Sequence, residues 1–169
     1  MISAQKDSVR YLDFSEPFVN SELYHSLRSQ ILDLLPQSIY SPSQESVDGF
    51  LSECVSSHES GAEKKLCFAA LDDLNHVLGF VQFRSFSSDA DLDFVLVSSH
   101  CRGRGIGKLL LQNSFLFLKR NGVERIILEV GTGNSAAKRL YVSLGFMEVS
   151  LRKNYYRSGE DALVMELLI

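Results

Sequence analysis

The chain has 169 residues, 45% of them apolar, and a formal net charge of −4 at pH 7. That length and apolar share fit one domain, residues 1–169, large enough to bury a core. The acidic balance argues against general nucleic-acid binding and favours a basic partner. No apolar run approaches a membrane span, and the polar start Met1-Ile2-Ser3-Ala4-Gln5-Lys6-Asp7 is unlike a secretory signal, so a cytoplasmic protein with no membrane partner is expected. Cys54, Cys67 and Cys101 are an odd number without metal-ligand spacing, and the four histidines stand singly. Neither a disulfide framework nor a metal site is expected from them. Nothing in the chain fixes an oligomeric state.

In chain order, residues 8–14 read as a first strand. Pro17 and Phe18 then lead to a helix near residues 20–35, ended by Pro36. Ser41, with Pro42 at the first helical position and Gln44 three residues after the cap, signals a second helix running to about Ser57. Residues 65–72 and 76–85 form a hairpin turned by Asp72-Asp73-Leu74-Asn75, and residues 89–97 follow as the next antiparallel strand. A long apolar helix starts near Ile106, with Ile106, Leu109, Leu110 and Phe117 on one stripe and Leu111, Phe115 and Leu118 on another. Such a helix should pack on a sheet and on something else. Strand 124–130, helix 134–144, strand 145–153 and strand 160–168 complete an α+β fold: one mixed, mostly antiparallel sheet flanked by helices.

The connection between strand 89–97 and the long helix is Arg102-Gly103-Arg104-Gly105-Ile106-Gly107-Lys108. Its glycines permit a tight turn, and the first turn of the helix presents unsatisfied N–H groups and a partial positive charge at the same place. This is a ready anion site, most naturally for a phosphate. It is not a P-loop, because Arg102 stands where the first Gly is needed and Leu109 replaces the hydroxyl residue. It is not a dinucleotide fingerprint, because Lys108 replaces the third Gly. An Arg-x-x-Gly-x-Gly loop is left, or else a glycine-rich turn that merely starts a helix.

Downstream comes Asn134-Ser135-Ala136-Ala137, then Leu140-Tyr141, then Leu144-Gly145-Phe146, with Ala137, Leu140, Tyr141 and Leu144 at helical spacing on one face. With both blocks in order, the chain resembles the GCN5-related N-acetyltransferase superfamily, whose loop reads Arg/Gln-x-x-Gly-x-Gly/Ala and whose next block reads Asn-x-x-Ala-x-x-x-Tyr-x-x-x-Gly-Phe. Leu128-Glu129-Val130, Asn154-Tyr155-Tyr156 and Glu160 to Leu167 narrow the resemblance to the RimI-type ribosomal-protein-alanine N-acetyltransferases. The similarity covers residues 92–169; residues 1–60, which in this superfamily help shape the acceptor site, show no such match. Ser98-Ser99-His100 also departs from the proline-containing turn usual there, and Gly131-Thr132-Gly133 is more flexible than usual.

The resemblance implies acetyl-CoA as co-substrate, no metal, and an amine acceptor. It implies that backbone groups of Val95, Leu96 and Val97 pair with the pantetheine arm, that amides from Gly103 to Lys108 hold the pyrophosphate beside Arg102, and that an amide near Leu96 is the oxyanion donor. Asn134 would contact the cofactor, or cap the helix it begins, or both. Amide formation needs a base for the ammonium and an acid for the departing thiolate. Glu129, an acid in an otherwise apolar strand, is a candidate base, since apolar surroundings penalise a charged carboxylate; the alternative is an edge carboxylate paired with Arg125 or Lys138. Tyr141 lies on the apolar face of its helix, where a core tyrosine is the default, and only the resemblance makes it the acid. Tyr155 and Tyr156 are acceptor-site walls or ordinary strand aromatics. Cys101 has no His–acid pattern beside it and is a poor nucleophile candidate.

An α-amine has a pKa of about 8 and a lysine amine about 10.4, so deprotonating lysine costs roughly 3 kcal/mol more at neutral pH. A single carboxylate base therefore suits an α-amine. A peptide or protein N-terminus is the expected acceptor, with a small amine or amino acid as the alternative and a non-catalytic acyl-CoA sensor as the reading of a different class.

Overall fold

The computed structural model describes residues 9–13, 22–35, 49, 51 and 63–169. The expected second helix over residues 41–57 lies outside them apart from residues 49 and 51, as does Cys54. The described elements are β1 (Arg10–Asp13), α1 (Glu22–Leu34), β2 (Lys64–Leu71), β3 (Val77–Phe86), β4 (Asp89–Val97), α2 (Ile106–Arg120), β5 (Arg125–Gly131), α3 (Ser135–Ser143), β6 (Met147–Arg152) and β7 (Ala162–Leu168). They form one seven-stranded sheet in the order β1-β2-β3-β4-β5-β7-β6. Every pairing is antiparallel except β4 with β5. The mixed, mostly antiparallel α+β sheet read from the sequence is the one observed.

Local chemistry sets these boundaries. At the β2–β3 turn, Asp72 Oδ1 accepts from the N–H groups of Leu74 (2.9 Å) and His76 (2.8 Å), and Asn75 takes φ 64°. That is how an Asp-Asn turn reverses a chain without a Gly. Gly145 ends the α3 turn at φ 97°, a conformation that L side chains resist.

Helices cover both faces of the sheet. On one face α2 buries Leu110, Leu111, Phe115 and Leu118, and α3 buries Tyr141, in one cluster with Phe83, Leu92, Ile126 and Leu128. Edge-on aromatic rings run through this layer from Phe68 to Phe83 (6.1 Å), Phe115 (6.4 Å), Phe146 (5.9 Å) and Tyr141 (5.6 Å). On the other face α1 packs Leu27 and Ile31, with Leu51, against Phe80 and Leu96. The second apolar stripe expected on α2, Leu111, Phe115 and Leu118, is buried, whereas the first is only partly covered: Ile106 and Leu110 are buried but Leu109 faces solvent. No described helix is long and apolar enough to cross a membrane.

The feature that positions the site is in β4. Gln82 of β3 faces Phe94, but the next residue, Phe83, faces Leu92. Asp93 is therefore an extra residue, a β-bulge. Because side chains alternate with a period of two, one inserted residue exchanges faces. Ala90 and Leu92 lie in the α2 layer, whereas Phe94 and Leu96 lie in the α1 layer. Pairing of β4 with β5 also stops there, running only from Asp89↔Arg125 to Leu92↔Leu128. Beyond Leu92 the two parallel strands part.

Candidate active site

The split opens a cleft of about 230 Å³ whose walls include Asp93, Val95 and Leu96 from β4, Glu129 and Val130 from β5, and Tyr141 from α3. Asn134, Tyr155 and Tyr156 also line it. Seven residues singled out from the sequence thus meet in one place: Val95, Leu96, Glu129, Asn134, Tyr141, Tyr155 and Tyr156. Among the described residues, β4 from Asp93 to Val97 has a strand neighbour on its β3 side only, so its other backbone edge is open to the cleft.

Val97 and the Arg102–Lys108 loop do not line this cleft; they continue from its β4 wall. A short helical turn, Ser99–Cys101, stands at the point where the sequence departs from the family's proline-containing turn. Arg102 Nε donates to the Val97 carbonyl at 3.2 Å, and Arg102 to Gly105 are exposed. Gly105 begins α2 in the left-handed region, φ 81°, and no side chain caps the helix there. A Cβ on Gly107 would lie 3.2 Å from Val97 Cγ2 and 3.6 Å from Leu140 Cδ2. Glycine at 107 is what lets α2 start flush against β4 and α3.

The N-terminus of α3 is capped by Asn134, whose Oδ1 accepts from the Ala137 N–H at 3.2 Å. Asn134 also lines the cleft, and its side-chain Nδ2 takes no part in the cap. The preceding Gly131-Thr132-Gly133 turn, flexible in sequence, is held from two sides: Lys138 Nζ donates to the Thr132 carbonyl (2.6 Å) and the Gly133 N–H donates to Glu160 (2.6 Å).

Tyr141 is buried and stacks edge-on against Phe146. Burial, with a smaller contribution from Tyr156, pushes its phenol well above the ordinary tyrosine range. It therefore keeps its proton throughout the physiological range. Glu129 is less enclosed than an apolar strand implied: its side chain is 25% exposed, and Oε1 lies 2.8 Å from Arg152 Nη1. Neither partner expected from the sequence holds it. Arg125 pairs with Asp89 and Glu166, and Lys138 with the Thr132 carbonyl. Arg152 also stacks 5.5 Å from the Tyr155 ring centre, which is edge-on to Tyr156. The two tyrosines line the cleft, and Arg152 stacks on Tyr155 beside them.

Sequence reading missed Arg84, Asp93 and Arg152. Arg84 and Asp93 form a multidentate pair, with Nη2 to Oδ1 at 2.6 Å and Nε to Oδ1 at 2.8 Å. The bond to Asp93 raises the affinity of Arg84 for its proton. A signal was present: apolar and acidic residues alternate through Asp89-Ala90-Asp91-Leu92-Asp93, then alternation fails at Phe94-Val95-Leu96-Val97. That break marks the bulge.

The cleft thus lies where two parallel strands part, and the glycine loop on the helix start follows on from its β4 wall. The chain belongs to the acetyltransferase (GNAT) family, whose model matches residues 29–146. It is 41% identical over 95 residues to a ribosomal protein bS18-alanine N-acetyltransferase of Haemophilus influenzae, an alignment covering 54% of this chain and 64% of that relative. The aligned part is thus less than two thirds of the relative's length. Among solved structures it is similar to the ribosomal-protein-S18-alanine N-acetyltransferase from Escherichia coli (TM-score 0.72, 23% identity, 96% of this chain and 94% of that one). It is also similar to a chain of the NatC complex bound to Gag peptide and CoA (TM-score 0.73, 22% identity, 96% and 99%). At those identities the structural likeness speaks for the fold.

Proposed function

We propose that this chain is an acetyl-CoA-dependent N-acetyltransferase that moves the acetyl group to the α-amine of a peptide or protein N-terminus by direct attack on the thioester. The observation that carries the reading is the β4–β5 split, where an open backbone edge, a carboxylate and a protonated phenol share one cleft. Family membership and the names of the relatives support the same chemistry.

The residues present fit the coenzyme. The open edge of Val95–Val97 offers strand-like hydrogen bonds to an amide-bearing arm, and the uncapped start of α2 with Arg102, Arg104 and Lys108 offers donors and positive charge to a pyrophosphate. Gly103 to Lys108 supply the backbone amides, and Asn134 Nδ2 adds a donor at the other wall. When bound, acetyl-CoA supplies an activated carbonyl and a thiol leaving group.

The protein's part is then proton handling and positioning. Glu129 takes the proton that the acceptor ammonium must lose before its nitrogen can attack. A β4 amide near Leu96 faces the charge developing on the carbonyl oxygen. Tyr141, held protonated by burial, gives its proton to the departing sulfur. Tyr155 and Tyr156 wall the acceptor's approach.

The test offers the enzyme peptides with free N-termini, the same peptides blocked at the α-amine but carrying lysine, and a panel of polyamines and amino acids. Mass shifts confined to free α-amines are expected. Efficient acetylation of a small amine with no reaction at any peptide N-terminus overturns the acceptor assignment and returns the small-amine alternative.

A further inference from the structure

Among the described residues, Gln82 Oε1 is the one buried side-chain nitrogen or oxygen with no hydrogen-bond partner. Gln82 is 6% exposed. A buried acceptor without a donor is costly, and native proteins keep few of them. The amide is not loose, because Gln82 Nε2 donates to Asp93 Oδ2 at 3.1 Å. Asp93 is in turn fixed by Arg84 and stands in the wall of the cleft. Bonding through nitrogen to a carboxylate settles the flip of the amide, since its oxygen cannot occupy that position. The carbonyl that remains is anchored, dehydrated and one amide's width from a residue of the cleft.

We infer that Gln82 Oε1 receives an N–H from the acceptor, and that for a peptide acceptor this is the N–H of the first peptide bond. The inference rests on the acceptor reading above and names the group that recognises it. Gln82 sits directly across from Phe94, one strand spacing of about 4.8 Å from β4, while the reacting amine must lie between β4 and Glu129 on β5. Although β4 runs between Gln82 and that gap, Arg84 two residues along β3 and the neighbouring Asp93 and Phe94 all line the cleft, so an acceptor lying over the β4 edge brings its next donor toward the Gln82 carbonyl. The Arg84–Asp93 pair and the bulge are then the support that aims Gln82, and a peptide's first amide is distinguished from a simple amine, which has no such second donor.

The experiment compares a peptide with its depsipeptide analogue, in which an ester replaces the first amide and removes the N–H with little change of shape. Wild-type enzyme is expected to lose about tenfold in kcat/KM on the ester. Gln82→Leu and Gln82→Met, which leave no orphaned carbonyl, should melt no lower than wild type and should treat amide and ester alike, with KM for acetyl-CoA unchanged. Equal wild-type rates on amide and ester overturn the inference without any variant. So does the same amide-to-ester ratio in all three enzymes. A wild type that acetylates no peptide overturns the parent reading and this one with it, whereas peptide acetylation without discrimination against the ester overturns this one alone.

Discussion

Arg152 Nη1 lies 2.8 Å from Glu129 Oε1, reaching from β6 across β7 to β5. The guanidinium is paired with Oε1 of the carboxylate, and the proposed proton transfer would use the other oxygen. Glu129→Gln is expected to keep coenzyme affinity and lower turnover by about 10²–10⁴ where proton removal limits the rate, with partial recovery at higher pH as more acceptor is already neutral. Arg152→Gln leaves the carboxylate in place but untethered, and should cost less than Glu129→Gln. Steady-state kinetics from pH 6 to about 9.5, spanning the α-amine range, checks both; wild-type turnover in Glu129→Gln would remove the residue from the mechanism.

Tyr141 is expected to behave as a proton donor. Tyr141→Phe should lower kcat by about 10²-fold or more with KM for acetyl-CoA little changed. Since burial raises the phenol above its ordinary range, kcat/KM should rise through the acceptor's own titration and show no alkaline decline attributable to tyrosine below about pH 10. A descending limb near pH 8–9 that disappears in Tyr141→Phe would contradict the assignment.

Coenzyme binding should stabilise the fold by mass action. At about one hundred times Kd the gain is roughly 2.7 kcal/mol, which for a domain of this size moves the melting temperature by about 5–10 °C. Gly105→Val, forced to φ 81°, and Gly107→Val, driven into Val97, should lose most of that shift. Cys101→Ser, whose side chain is buried behind the loop, should retain it. Calorimetry with and without acetyl-CoA decides; an unchanged wild-type melting temperature at saturation would end the coenzyme reading.

Leu110 is fully enclosed between α2 and the sheet. Leu110→Ala should cost about 2–5 kcal/mol, from lost burial plus the cavity left behind. Leu109→Ala, one residue away but exposed, should change stability by no more than about 0.5 kcal/mol. Urea denaturation of the two variants separates them, and similar midpoints would contradict the observed face of α2.

Two ion pairs are expected to contribute to the acid limb of stability, beside Asp72, which despite desolvation its turn hydrogen bonds also hold below the ordinary range. Hydrogen bonding from Arg125 holds the Asp89 carboxyl below the usual range, and Lys153 does the same for Asp161. A carboxyl with a lowered folded-state pKa stabilises above its unfolded value, near 4, and loses that contribution as pH falls through the folded value. The melting temperature should therefore drop as pH falls below about 4, and Asp89→Asn with Asp161→Asn should flatten that drop. An unchanged acid limb in the double variant would assign it to other groups.

The strands and helices from residue 63 onward were legible because each carries its own periodicity and punctuation, such as Asp72 to Asn75 at the turn and Gly145 after α3. The motif residues were legible because backbone geometry constrains them locally. What escaped was non-local. Nothing near Glu129 names Arg152 as its partner, because that contact depends on β7 inserting between β5 and β6. The two nearby cations were the natural choices in one dimension, yet Arg125 is taken by Asp89 and Glu166. The Arg84–Asp93 pair likewise depends on a bulge whose only trace is a lapse in alternation, and Leu109 looked buried because apolarity alone does not tell which face of α2 meets the sheet.

The short parallel seam between β4 and β5 divides the chain as well as the sheet, since β1 to β4 precede it and β5 to β7 follow it. Backbone pairing across it is confined to Asp89–Leu92 with Arg125–Leu128. A seam with so few ladder bonds is where local opening of the sheet is expected to be easiest. A coenzyme arm lying along Val95–Val97 and reaching Asn134 would bridge the halves beyond the last strand pair, replacing hydrogen bonds that the parted strands do not make. Amide hydrogen exchange would then slow most at β4 residues past the bulge and at the end of β5, so that the occupied site acts as the missing rungs of the ladder.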